Sequence, residues 1–269
     1  MQGARVAVEA LSSALEAMEH DCQIAAKQFR ASAASCEAFT HVLLASEQSR
    51  APSVRKTVLL ASASKARRAI VASVLPDGVD LADEFISPDI DERAIRRDDP
   101  EAMVLAIAHA KADRAVELLS ARTGGARMPD LIICADQVVL FGSEVREKPV
   151  DKAQAKTHLM SYGLQGKPAV CVTAVVVVCG TLRLDGVDRA EQHFTAMPEQ
   201  VCEALVAKGD VMQSAGSFVV EDPDVAPYLG ERRGELSSIR GLPGKLTRRL
   251  LVEAMEALDD QRKRQKKVA

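Results

Sequence analysis

The stretch from Val58 to Arg68, VLLASASKARR, places two hydroxyls and a guanidinium where an apolar strand turns directly into a helix. Such a turn leaves free backbone N–H groups at the helix start. Ser62 and Ser64 add hydroxyl donors there, and Arg67 adds a rigid cationic fork. Together they make a phosphate cradle at a helix N-terminus. Lys65 in the first helical turn opposes the helix dipole, a local cost of about 0.3–1 kcal/mol that a bound polyanion would reverse. The alternative, on spacing alone, is an ordinary serine-capped helix with exposed cations. An earlier copy of the string, VLLASEQSR from Val42, runs into Ala51-Pro52 and opens no amphipathic helix, so it reads as an echo.

Carboxylates and lysines supply the other half of a phosphoryl-transfer inventory. Asp136 interrupts the apolar run LIICADQVVLF (131–141), where a carboxylate is costly to bury unless it is paired or binds a metal. Asp91 and Glu92 follow the run EFISPDI (84–90). Two carboxylate positions beside a phosphate cradle are what Mg²⁺-assisted phosphoryl chemistry requires; turn and cap residues are the other reading of Asp91 and Glu92. Lys111 falls in the inward stripe Val104, Ile107, Ala108, Lys111, Ala115, Leu118 of a helix over 100–120, so it either snorkels to solvent or reaches a buried anion. Lys148, in Glu147-Lys148-Pro149, is a cation held extended by the following proline. The chain contains no P-loop, GxGxxG or GxSxG.

Alternating β and α patterns position these residues from Thr57 onward. The pattern predicts strands at 58–62, 84–90, 131–141 (one strand, or two broken at Asp136), 169–179 and 217–221. It predicts helices at 65–75, 100–120, 151–161, 198–208 and 246–258. Asp99-Pro100-Glu101 is a strong helix start. This is an α/β domain with a mixed sheet. Residues 1–55 read as a helical extension and linker, with Val8, Leu11, Leu15, Met18 and Cys22 on one face. Residues 56–260 form the catalytic domain and 261–269 a basic tail, a solvated helix end or, on the other reading, a nuclear-import or nucleic-acid-binding signal.

The totals exclude several classes. Aromatics supply only 3% of 269 residues with no Trp, so the core must be aliphatic. A formal charge of −3 argues against nucleic acid as a broad electrostatic partner. The longest apolar run, Ala169 to Cys179, is short of the roughly 20 residues of a spanning helix, so no membrane partner is expected. The six cysteines form no CxxC pair and the five histidines no HExxH, the usage of a reducing compartment, the cytoplasm.

Taken in order, LLASASKARR, SPDIDE, AHAKA, ICADQVV, EKPVDKAQA, GKPAVCVTAV, SAGSF and RGLP resemble the Maf family of nucleoside triphosphate pyrophosphatases over residues 57–245. The resemblance implies an elongated mixed β-sheet with flanking helices forming two lobes around a cleft, often as a homodimer. It implies hydrolysis of a nucleoside triphosphate substrate to the monophosphate and pyrophosphate with a divalent cation, Mg²⁺ or Mn²⁺. It assigns Glu92 and Asp136 as catalytic or metal-binding carboxylates. It assigns Ser62, Ser64, Arg67, Lys111 and Lys148 to the phosphates. The chain departs from the family pattern at Lys65, usually proline, and at Ala66, commonly Arg or Trp.

Within the family, Asp136-Gln137 and Ala215-Gly216-Ser217-Phe218 followed by Glu221 look like the 7-methyl-GTP branch rather than the dTTP/UTP branch. A carboxylate at Glu221 can accept from guanine N1–H and N2–H, and its charge suits a cationic base. Ala66 lacks the aromatic face that would stack on that cation. A nucleotide-binding regulator without turnover is the reading from a different class.

Overall fold

Val58, Leu59 and Leu60 of β1 (Lys56–Leu60) are buried on both sides, as a strand covered by helices on each face requires. The structure, a computed structural model, describes residues 55–122 and 128–268, with 265–268 described by backbone alone. The predicted helical face at Val8–Cys22 and the first VLLAS copy lie outside these residues.

Ser64 ends the turn after β1 and caps α1 (Lys65–Val74), its Oγ accepting from the Arg67 N–H at 3.3 Å. Gly78 then leads into β2 (Val79–Leu81), which pairs parallel with β1. The strand predicted at 84–90 is absent. Pro88 removes a ladder donor, and the Asp91 side chain takes the N–H groups of Arg93 and Ala94 to cap a 3-10 turn at Glu92–Ala94. Asp99 caps α2 (Pro100–Ser120) through the N–H groups of Glu101 and Ala102, in the place the sequence indicated. The buried face of α2 includes Met103, Ala112 and Leu119 beside Val104, Ile107, Ala108 and Ala115, while Leu118 turns only partly inward.

β3 (Leu131–Phe141) runs unbroken through Asp136 and turns at Gly142 into β4 (Glu144–Arg146). α3 (Lys152–Ser161), β5 (Ala169–Cys179) and β6 (Leu182–Phe194) follow. The sequence pattern misses β6 because charged residues interrupt its apolar positions. It is a strand because Leu182 to Gln192 pair antiparallel with β5. After α4 (Glu199–Lys208) comes a segment predicted as strand that is coil and 3-10 turn instead, with Gly216 at φ +68 and Ser217 at φ +62. β7 (Leu229–Arg233), α5 (Leu236–Ile239) and α6 (Gly244–Val268) complete the described chain. α6 continues through the basic residues 262–267 as one helix.

The seven-stranded sheet has the order β2-β1-β3-β5-β6-β7, with β4 added to β3. β2, β1 and β3 are parallel and the remaining pairs antiparallel, which makes the mixed sheet expected. On one side β5 covers β3 from Ile132 to Phe141. On the other, β1 pairs only with Leu131–Ile133 and β4 only with Val139–Phe141. The edge of β3 from 134 to 138 is therefore left without a strand, a gap in the sheet.

One core face packs α2 on Ile132, Cys134 and Val138, and the opposite face packs α1 and α6 on Leu131, Ile133 and Ala135. Both are aliphatic, as the composition requires. The third core, around α3 and α4, holds most of the rings. Phe141, Phe194 and Phe218 each lie within 5.6 Å of Tyr162, ring centre to ring centre.

Candidate active site

Because successive strand residues face opposite ways, Asp136 points from the gap toward α2 while Gln137 points toward α5. On the α2 side Lys111 rises from a buried stripe, and its Nζ lies 2.7 Å from Asp136 Oδ1 and 2.8 Å from Glu92 Oε1. Glu92 sits in the 3-10 turn that follows residues 84–90 and that Asp91 caps. Burial pushes the Asp136 carboxyl above the usual carboxylate range. Lys111 opposes that shift, Glu92 adds to it, and Arg67 opposes it more weakly. A perturbed carboxylate of this kind in a cleft marks a functional candidate.

The loop after β1 closes one end of the gap. Ser62 Oγ accepts from the Ser64 N–H at 3.2 Å, and Ser64 Oγ accepts from Arg67 N–H. Both hydroxyl protons have no acceptor among the described residues. Helix geometry leaves the Lys65 and Ala66 N–H groups without intrahelical partners. The Arg67 fork is partly committed: Nε donates to Gly241 O and Nη1 to Ala135 O, each at 2.9 Å. It thereby ties the open edge of β3 to the loop after α5, where Gly241 sits at φ +103. Burial lowers the Arg67 pKa against the pull of Asp136 and Glu92.

Gln137 Nε2 donates to Thr173 Oγ1 and to Ser238 O, both at 2.7 Å, so its amide is anchored between β5 and α5. Lys148, just past β4 at the other end of the gap, is exposed and has no ion-pair partner among the described residues. Its neighbour Glu147 is held by Arg96 through two contacts of 3.2 Å. Glu221 pairs with Arg240 Nε, on the side of the gap that carries Gln137 and α5.

Sequence reasoning missed Arg96, Thr173, Ser238 and Arg240. Two of these had a signal, Arg240 as the first residue of the RGLP string and Thr173 inside GKPAVCVTAV. Also missed was the support behind the 215–221 loop. Gly216 N–H donates to Glu147 O, and Tyr162 Oη donates to Gly216 O at 2.8 Å. A Cβ on Gly216 would come within 2.9 Å of Val139 and 2.8 Å of Tyr162 Oη, so glycine is required there. Buried Ser217 shares a 2.9 Å hydrogen bond with His158 Nδ1. Burial, and then Arg146, push the His158 pKa down, with Glu144 opposing.

Cys134, Cys171, Cys179 and Cys202 are buried free thiols, and burial pushes the Cys134 and Cys171 thiols up to about 12. They are inert packing residues. Among the described residues no helix is long and apolar enough to cross a membrane.

The sequence profile of the family described as "Maf-like protein" matches residues 57–254. A 7-methyl-GTP pyrophosphatase of Dictyostelium discoideum is 37% identical over 174 residues, 64% of this chain and 86% of that protein. A nucleoside triphosphate pyrophosphatase of Hyphomonas neptunium is 33% identical over 190 residues, 69% of this chain and 90% of that protein. A dTTP/UTP pyrophosphatase of Shewanella denitrificans is 29% identical over 204 residues, 76% and 98% of the two chains. The matched span takes in the loop after β1, the Glu92–Lys111–Asp136 cluster, Lys148 and the loops at Glu221 and Arg240, and on that match this chain belongs to the Maf-like family.

Proposed function

We propose that the chain hydrolyses a nucleoside triphosphate between its α and β phosphates, releasing the monophosphate and pyrophosphate. The observation that carries this reading is the convergence of Asp136 and Glu92 on the Lys111 ammonium, 2.7 and 2.8 Å away, in a gap that opens beside a helix N-terminus. The names of the relatives agree with it.

The donor set suits a hard divalent cation, which takes one or two carboxylates and fills its shell with water and phosphate oxygens. No cluster of three or more His, Cys, Asp or Glu is present among the described residues, and such a cation does not need one. Asp136 and Glu92 would hold Mg²⁺ or Mn²⁺, which supplies positive charge to the phosphate oxygens as a Lewis acid. Lys111 marks the point between the carboxylates where a cation is favoured, and with a triphosphate present its ammonium serves the phosphates.

Water attacks the α-phosphorus, its proton passes to a carboxylate of the Asp136–Glu92 pair, and the bond from the α-phosphorus to the α–β bridging oxygen breaks. The leaving pyrophosphate takes the electron pair. Lys148, the free hydroxyls of Ser62 and Ser64, and the N–H groups of Lys65 and Ala66 meet its charge. Arg67 contributes chiefly by fixing the loop, since two of its donors are spent on carbonyl groups.

At the base end, the Glu221 carboxylate accepts from guanine N1–H and N2–H and favours a cationic 7-methylguanine, so 7-methyl-GTP is the preferred substrate. The buried thiols suit a reducing compartment such as the cytoplasm. Incubation with Mg²⁺ or Mn²⁺ and a panel of triphosphates, with pyrophosphate and monophosphate measured, tests the reading. Release from 7-methyl-GTP ahead of GTP, dTTP and UTP is expected; no pyrophosphate from any of them sinks it.

A further inference from the structure

Glu221 has one side-chain partner among the described residues, Arg240, and Arg240 has no other. Both groups are partly exposed, at 41% and 30% of their side chains. Arg240 is the C-terminal cap of α5, one residue before the Gly241 carbonyl that holds Arg67. Its backbone is thus tied through Gly241 to Arg67, beside the loop that closes the gap, while its guanidinium rests on the carboxylate proposed to read the base.

A base that donates two N–H groups to Glu221 must take the place of that guanidinium. Partly exposed ion pairs are weak and readily exchanged. An arginine does not lose its proton, however, so the displaced charge stays near the site on its tethered side chain. A cationic base then meets attraction from Glu221 and repulsion from Arg240, whereas a neutral base meets no such repulsion. Arg240 therefore moderates a selectivity that Glu221 creates.

We propose that Arg240 is a specificity-determining residue, a displaceable counter-ion of Glu221 that sets how strongly the site prefers a cationic over a neutral purine base. This rests on the reading of Glu221 as the base acceptor.

The test compares wild type, Arg240→Met and Arg240→Lys in two arms. One measures kcat and KM for 7-methyl-GTP and GTP; the other measures binding of the corresponding monophosphates by calorimetry. Arg240→Met should raise the methylated-to-unmethylated ratio about fivefold in both arms, the size of a screened like-charge contact at a partly exposed site. The change should lie in KM with kcat held, because the base end is remote from the reacting phosphate. Arg240→Lys should keep the wild-type ratio, and in a Glu221→Gln background Arg240→Met should raise it by less than in wild type, because the guanidinium is no longer drawn to the base position by the carboxylate.

An unchanged or lowered ratio in Arg240→Met, or an equal rise in Arg240→Lys, overturns the assignment. The binding arm needs no turnover, so absence of hydrolysis defeats the functional reading alone and the calorimetric ratio still decides Arg240. Failure of both monophosphates to bind defeats both.

Discussion

Two carboxylate–cation groups flank the gap along β3, and they differ most in burial. The Asp136–Lys111 pair stands on a central strand and a long capped helix, with side chains only 8% and 12% exposed, and Glu92 reaches it from a 3-10 turn with its own side chain 45% exposed. The Glu221–Arg240 pair joins two loops in partial contact with solvent. Charges held in a dry, rigid setting act strongly and cost little reorganisation, which is what bond breaking needs. Charges at a wet rim exchange partners easily, which suits reading a base that must enter and leave. The same pair of chemical groups thus serves two tasks according to how much water surrounds it.

The largest effect that would break this comparison is on turnover. Asp136→Asn should lower kcat/KM by about a thousandfold and Glu92→Gln by about a hundredfold, read as pyrophosphate release. Glu221→Gln should cost 7-methyl-GTP about tenfold and other triphosphates less. Equal losses at Asp136 and Glu221 for every substrate would erase the distinction.

Stability separates the groups next. Lys111→Met leaves the Asp136 carboxylate buried with its main counter-charge gone and should cost on the order of 3 kcal/mol near neutral pH in denaturant melts. Arg240→Met, losing a partly exposed pair, should cost about 1 kcal/mol or less. The pH dependence sharpens the first of these. A carboxyl whose folded pKa is raised binds more protons in the folded chain than in the unfolded one. Its contribution to stability is therefore complete below the unfolded pKa and lost as pH rises through the folded one. The Lys111→Met deficit should accordingly shrink in mild acid. The acidic limb of kcat/KM should also move to higher pH in that variant, since Lys111 opposes the rise.

The smallest expected effect concerns the support behind the 215–221 loop. His158 is held below the usual imidazole range, so the unfolded chain binds more protons below about pH 6.5 and stability falls as pH drops through that value. His158→Gln should flatten that acid loss of Tm by about 2 °C, measured by thermal melts between pH 7.5 and 5.

Much of the molecule was legible as sequence where local chemistry decides the outcome. Helix α2 begins at Asp99-Pro100 because the cap and the preset proline φ are properties of those residues. β3 and β5 are strands because an apolar β-branched run has no other stable use. The reactive inventory was legible too, since a carboxylate or lysine inside an apolar stripe is costly without a partner. What depended on tertiary structure was pairing. The 84–90 and 217–221 segments have strand-like composition, but Pro88 and the left-handed Gly216–Ser217 turn deny them a ladder, while charged β6 is a strand because β5 is there to pair with it. Arg67 carries the right charge for a phosphate, yet long-range packing spends two of its donors on the carbonyls of Ala135 and Gly241. Arg240 found Glu221 across 19 residues of chain. Local rules place the groups; only the folded chain determines which partner reaches each one and how much water remains around them.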